Sequence, residues 1–132
     1  MNILLVEDEA ALADVIARNL RARQHDTTIA ASAGEAIASM AERWPDVLIL
    51  DVNLPDLTGW EVLRRLTALD RSRLHVIVIS AAPISPKRIE EFKPLRILQK
   101  PFPILALVRM LDETGSSAAA ASDAEAPWSD ES

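Results

Sequence analysis

The stretch Val47-Leu48-Ile49-Leu50-Asp51-Val52-Asn53-Leu54-Pro55 decides the fold. Four apolar residues in a row, two of them β-branched, end on a carboxylate and run into a turn marked by proline. A run this short and this continuous reads as a strand buried on both faces, the pattern of a parallel sheet covered by helices on each side. Two more runs have the same character, Ile3-Leu4-Leu5-Val6 and Val76-Ile77-Val78-Ile79. Weaker runs at Thr27 to Ala30 and Leu95 to Leu98 mix polar with apolar residues and suit the edges of the sheet.

Helical patterns fill the gaps. Leu12, Val15, Ile16 and Leu20 recur on one stripe, with Arg18, Arg21 and Arg23 turned outward. Ala33, Ala36, Ile37, Met40, Ala41 and Trp44 form a second stripe, with Ser32 as the cap and Pro45 as the stop. Val62, Leu63, Leu66 and Leu69 follow Gly59 as a third. A fourth helix, Pro86 to Phe92, is short and cut by Pro94, and a fifth spans about Pro103 to Glu113 and ends before Gly115. The order βαβαβαβαβα predicts an α/β fold, a doubly wound five-stranded parallel sheet in the flavodoxin-like order 2-1-3-4-5 with helices on both faces.

The 132 residues suit one domain, predicted at 1–114. The composition is 49% apolar and 26% charged, with only 4% aromatic residues, so Leu, Ile, Val and Ala must build the core. There is no cysteine, which excludes disulfides, thiolate metal sites and cysteine nucleophiles and fits a reducing cytoplasm. The start MNILLVEDEA lacks a basic leader, and no apolar run approaches membrane length, so neither export nor a membrane role is expected. Residues 115–132, GSSAAAASDAEAPWSDES, hold four acids and no base and read as a disordered acidic Ala/Ser-rich tail in which Trp128 is solvated. Those four acids carry most of the net charge of −6. No basic excess marks either part as a direct nucleic-acid binder.

The polar residues that terminate the strands are the informative ones. The first strand ends in Glu7-Asp8, the third in Asp51, the fourth in Ser80 and the fifth in Gln99-Lys100. A parallel sheet brings all these ends to one edge. Three carboxylates gathered there repel one another unless a cation joins them. Oxygen ligands with no Cys or His favour Mg²⁺ over zinc or copper. Asp51 can then act as a nucleophile that forms an acyl phosphate, with Mg²⁺ and the Lys100 ammonium neutralising charge and the Ser80 hydroxyl donating to a phosphoryl oxygen. Singly, each residue has a plainer role: helix-end charge for Glu7, Asp8 and Glu9, turn capping for Asp51 and Ser80, a solvated strand end for Lys100. Together, four strands that each terminate in a residue suited to phosphoryl transfer outweigh those separate explanations.

With LLVEDE (4–9), LILDVNLPDLTGWEVL (48–63), VIVISA (76–81) and KPF (100–102), residues 2 to about 113 resemble the receiver domain of two-component response regulators, here of the stand-alone single-domain type. The resemblance implies that Asp51 is the phospho-acceptor and that Glu7 and Asp8 are the acidic pair of the Mg²⁺ site, Asp8 directly and Glu7 through water. It implies that the Asn53 backbone carbonyl completes the metal site, that Ser80 is the switch hydroxyl and that Lys100 pairs with the phosphoryl group. Pro101 matches the proline after that lysine, often preceded by a cis peptide bond, while Pro55 and Gly59 shape the loop after the acceptor strand, Gly59 through a backbone conformation that excludes a Cβ. The implied partners are a histidine kinase or histidine phosphotransfer protein and a further downstream protein. Two features depart from the family pattern: Ile97 stands where an aromatic residue is usual, and the fourth helix is short and lacks a glycine-containing turn before the fifth strand. Both put the usual signalling face of fourth helix, fifth strand and fifth helix in question. A pseudo-receiver acting by phosphorylation-independent protein contact is the alternative function. An aspartate-nucleophile phosphatase is a third, disfavoured because Asn53 cannot serve as a general acid.

Overall fold

The computed structural model describes residues 1–121, with side chains defined to Thr114. The chain runs β1 (Asn2–Val6), α1 (Ala10–Ala22), β2 (Asp26–Ala30), α2 (Ala33–Glu42), β3 (Val47–Asp51), α3 (Gly59–Arg64), α4 (Ala68–Ser72), β4 (His75–Ser80), α5 (Pro86–Phe92), β5 (Arg96–Gln99) and α6 (Ile104–Ala121). The five strands form one sheet in the order β2-β1-β3-β4-β5, and every pairing is parallel. The doubly wound prediction therefore holds, with the two mixed-polarity strands at the edges.

Alternation along the three central strands sorts the core into two layers, because successive side chains of a strand point to opposite faces. Leu4, Val6, Leu48, Leu50, Val76 and Val78 pack on one side with Ala33, Ala36, Met40, Trp60, Val62, Leu63 and Phe92. Ile3, Leu5, Val47, Ile49, Ile77 and Ile79 pack on the other with Ala13, Ile16, Leu20, Leu107, Val108 and Leu111. Helices α2, α3 and α5 thus cover one face, and α1 and α6 the other. Burial on both faces explains why these strands read as unbroken apolar runs.

Local chemistry sets the helix ends. Ser32 accepts from the Glu35 N–H at 3.1 Å and caps α2, and Ser85 caps α5 ahead of Pro86 at its first turn. The third predicted stripe proves to be two helices. Thr67 and Asp70 form a reciprocal capping box that restarts the chain as α4, leaving Leu66 partly buried and Leu69 68% exposed. Val15, assigned to the buried stripe of α1, is likewise exposed, and Trp44 lies beyond the end of α2, partly buried against the core. The short fourth predicted helix appears as α5, and Lys93 in the left-handed region (φ 45°) makes the turn that a glycine would otherwise make. The predicted stop before Gly115 is not observed: α6 continues to Ala121. The rest of the predicted tail, with Trp128, lies outside the described residues. Among those described, no helix is long and apolar enough to cross a membrane.

Candidate functional site

The carboxyl edge of the sheet carries the reactive groups. β1 delivers Glu7, and the loop after it Asp8 and Glu9; β3 ends on Asp51, β4 on Ser80, and Lys100 follows β5. Parallel register aligns these ends: Asp51 pairs with Ile79, and Ser80 with Gln99. The backbone N–H of Lys100 donates to the Ser80 carbonyl at 2.7 Å, and that of Val52 to the Ile79 carbonyl at 3.1 Å, so the ladder extends one residue past each strand.

Glu7, Asp8 and Asp51 converge. One carboxylate oxygen from each lies within 4.8 Å of the others. Glu7 and Asp51 are buried, at 1% and 2% exposure, while Asp8 faces solvent. The Lys100 ammonium donates to Asp51 Oδ2 at 2.9 Å and stands 2.8 Å from Glu7 Oε1. The second contact is an ion pair without hydrogen-bond geometry, and Glu7 Oε1 has no hydrogen-bond donor among the described residues. The other oxygens are held by backbone amides: Asn53 N–H donates to Asp51 Oδ1 at 2.8 Å and Glu9 N–H to Glu7 Oε2 at 3.1 Å.

Electrostatics follow from this crowding. Burial pushes the Glu7 carboxyl up to about 7, a rise that the Lys100 ammonium and the Glu9 N–H oppose and the nearby Asp51 charge reinforces. Burial also pulls Lys100 downward, but the two carboxylates beside it, Glu7 and Asp51, prevail and its pKa is raised. Three carboxylates against one ammonium leave two uncompensated negative charges when all are ionised. A divalent ion would balance them. All-oxygen donors, a buried carboxylate oxygen without a hydrogen bond and a carboxyl strained toward protonation are what a hard cation such as Mg²⁺ relieves, so the residues present fit it.

The other predicted residues are placed as follows. Asn53 is exposed and touches the site through its amide to Asp51. The Ser80 hydroxyl is buried and turned into its own loop, donating to the Ala82 carbonyl and accepting from the Ala82 N–H at 3.1 Å. The Lys100–Pro101 peptide is cis. Pro55 lies exposed in the loop between β3 and α3. Gly59 has no positive φ, so the expected conformational reason is replaced by a steric one: a Cβ there would lie 2.6 Å from the Asp51 carbonyl oxygen and 2.9 Å from Val52 Cα. Helix α3 needs glycine because it abuts the end of β3.

Sequence reasoning missed two features. Trp60 of α3 stacks on Phe92 of α5 (centroids 5.0 Å apart, planes 17°), with Arg88 over Trp60 and Arg64 over Phe92. Ile97 is partly buried against the core layer to which Trp60 and Phe92 belong. The second is Asp56, whose carboxylate reaches back to α2. An acid in a loop gives no sequence signal of such a partner.

Fold and site together define a doubly wound α/β protein with three convergent carboxylates and an ammonium at the carboxyl ends of its strands. A family model described as the response regulator receiver domain matches residues 3–112, and the chain belongs to that family. Glu7, Asp8 and Asp51 form the acidic triad typical of the family's Mg²⁺ site, and its members are signalling phospho-acceptors, not conventional enzymes, that partner histidine kinases. Among relatives, the chain is 35% identical over 89 residues to the probable transcriptional regulatory protein TcrX of Mycobacterium tuberculosis, covering 67% of this chain and 38% of that protein. It is 32% identical over 127 residues to the transcriptional regulatory protein PrrA of Mycobacterium bovis, covering 92% of this chain and 54% of that one. The chain thus spans about half, or less, of the length of these relatives. A receiver domain protein (CheY-like) from Methanospirillum hungatei shares the fold with a TM-score of 0.77 at 25% identity, over 86% of this chain and 91% of that one.

Proposed function

We propose that the chain is a response regulator that accepts a phosphoryl group on Asp51 from a histidine kinase or phosphotransfer protein, in a Mg²⁺-dependent reaction, and signals through protein contacts. The observation that carries this reading is the Lys100 ammonium set between the buried carboxylates of Glu7 and Asp51, 2.8 Å from one and 2.9 Å from the other.

An Asp51 oxygen forms the new O–P bond as the N–P bond of a phosphorylated histidine breaks, and the imidazole leaves with the electron pair. Backbone donation from Asn53 to Oδ1 and Lys100 donation to Oδ2 hold the carboxylate in a single orientation, so little reorganisation precedes attack. Lys100 is placed to follow charge from the carboxylate to the phosphoryl oxygens. Glu7, Asp8 and Asp51, with the Asn53 carbonyl, are the residues that would hold Mg²⁺, which when bound neutralises charge on the transferred group. Ser80 is held one strand away; releasing its hydroxyl from Ala82 would free a donor for a phosphoryl oxygen. Pro55, Gly59 and Pro101 shape the surrounding loops.

Incubation with acetyl phosphate and MgCl₂, followed by intact-mass measurement, tests the reading. The wild type gains one phosphoryl group, while Asp51→Ala and chelated wild type gain none. Unchanged wild-type mass with several donors would overturn it.

A further inference from the structure

Helix α2 ends at its N-terminus against both segments that carry the acidic site. Its Ala33 N–H donates to Asp56 Oδ1 and its Gly34 N–H to Asp56 Oδ2, each at 2.9 Å. Asp56 sits near the tip of the loop 52–58, which is closed at its base by the Gly59 N–H donating to the Val52 carbonyl at 2.9 Å and by an antiparallel bridge between Asn53 and Thr58. On the other side, the Glu7 N–H donates to the carbonyl of Ala30, three residues ahead of α2, at 3.0 Å. The start of α2 is therefore tied to Glu7 through Ala30 and to the Asn53 loop through Asp56.

Capping alone does not require this long reach. The Glu35 and Ala36 N–H groups, the next two donors of the helix, are satisfied locally by the Ser32 hydroxyl and carbonyl. Asp56 supplies the remaining two from 22 and 23 residues away. The two amides hold its carboxyl below the usual carboxylate range, so the clasp is ionised and closed at neutral pH. The bridge to Thr58 fixes Asn53 within its own loop; the clasp ties that loop as a unit to the start of α2, and through Ala30 to the strand end that carries Glu7.

We propose that Asp56 is a positioning residue for the cation site: by clasping the start of α2 it sets the Asn53 loop against Glu7 and Asp8, and so sets the affinity for Mg²⁺. The inference rests on the reading of Glu7, Asp8 and Asp51 as a Mg²⁺ site. Groups that orient metal ligands without touching the ion change affinity by about 10- to 100-fold when removed. Asp56 is exposed and its loss should leave the fold intact.

The test is titration of the full chain with MgCl₂, followed by the NMR shift of the Asn53 amide, at an ionic strength where exposed charges are screened over about 8 Å. Asp56→Ala is expected to raise the Mg²⁺ Kd about tenfold, and Asp56→Asn, which keeps one acceptor, to fall between it and the wild type. Ser32→Ala is the matched control. It removes the other side-chain cap of α2, so it lowers Tm and leaves the Mg²⁺ Kd unchanged. A Kd for Asp56→Ala within twofold of wild type would overturn the proposal, as would an equal rise in Ser32→Ala, which would assign the effect to fraying of α2. A wild type that neither binds Mg²⁺ nor takes up phosphoryl would overturn the site reading as well; one that does both, beside an unaffected Asp56→Ala, would overturn the clasp alone.

Discussion

Replacing Gly59 with alanine sets two effects of opposite sign against each other. Alanine favours a helix over glycine by about 1 kcal/mol, and Gly59 opens α3 with an ordinary negative φ, so on conformational grounds the change should stabilise. The added Cβ, however, would stand 2.6 Å from the Asp51 carbonyl oxygen, 2.9 Å from Val52 Cα and 3.1 Å from Leu50 Cγ. The two nearest atoms are backbone, on and just past a central strand, and cannot rotate away. Helix α3 or β3 must shift. Overpacking of this kind costs about 1–3 kcal/mol, and with contacts below 3.0 Å the upper half of that range applies. The net expectation is a loss of about 1.5 kcal/mol, or a fall in Tm of about 6 °C for a domain of this size. Urea unfolding should show a lower midpoint with an unchanged slope. Because the Asp51 carbonyl is the nearest atom, phosphoryl uptake should fall as well. A neutral or stabilised Gly59→Ala would mean that α3 does not abut the end of β3.

Three further expectations concern the charge balance and the core. Lys100→Met leaves Glu7 and Asp51 buried with no cation between them, and should cost about 2 kcal/mol in chelator, largely recovered in MgCl₂, and slow phosphoryl uptake about 100-fold; urea titrations with and without Mg²⁺ and timed mass spectra read both. Burial lowers the His75 pKa below 6.5, so the fold favours the neutral ring. Its contribution is complete above the unfolded pKa and is lost as pH falls through the folded one, and an NMR titration of the ring should give a midpoint below 6.5; a midpoint at or above that value would count against it. Phe92→Ala removes the stacking partner of Trp60 from a site 6% exposed and should cost about 3–4 kcal/mol by urea unfolding, with a red shift in Trp60 emission.

The sequence carries the sheet most clearly because β1, β3 and β4 are covered on both sides and cannot alternate in polarity. It carries the candidate site for a related reason: only the polar residue that ends each buried run has somewhere to go, and parallel strands send all those ends to one edge. Most of what escaped reading depends on contacts between distant segments, with one local exception. The stripe from Val62 to Leu69 has helical spacing throughout, yet Thr67 and Asp70 cap a new helix within it; that signal is local and could have been read. Leu69 and Val15 are apolar at the right spacing but stay exposed, because periodicity does not say how wide a covered face is. Gly59 invites an explanation by φ, whereas its neighbours in space impose it. Asp56 and the Trp60–Phe92 stack join residues 22 or more apart and leave no trace in local pattern. The continuation of α6 past Gly115 shows that one glycine is a weak stop when alanines follow it.

Locating the phosphoryl group is the decisive step for this protein. After incubation with acetyl phosphate and Mg²⁺, borohydride reduction converts an aspartyl phosphate to homoserine, which peptide sequencing by mass spectrometry can place. Homoserine should appear at position 51 and nowhere else, and should vanish when the metal is chelated. Conversion at another carboxylate, or uptake indifferent to Mg²⁺, would show that Glu7, Asp8, Asp51 and Lys100 do not work as one phosphoryl-accepting centre.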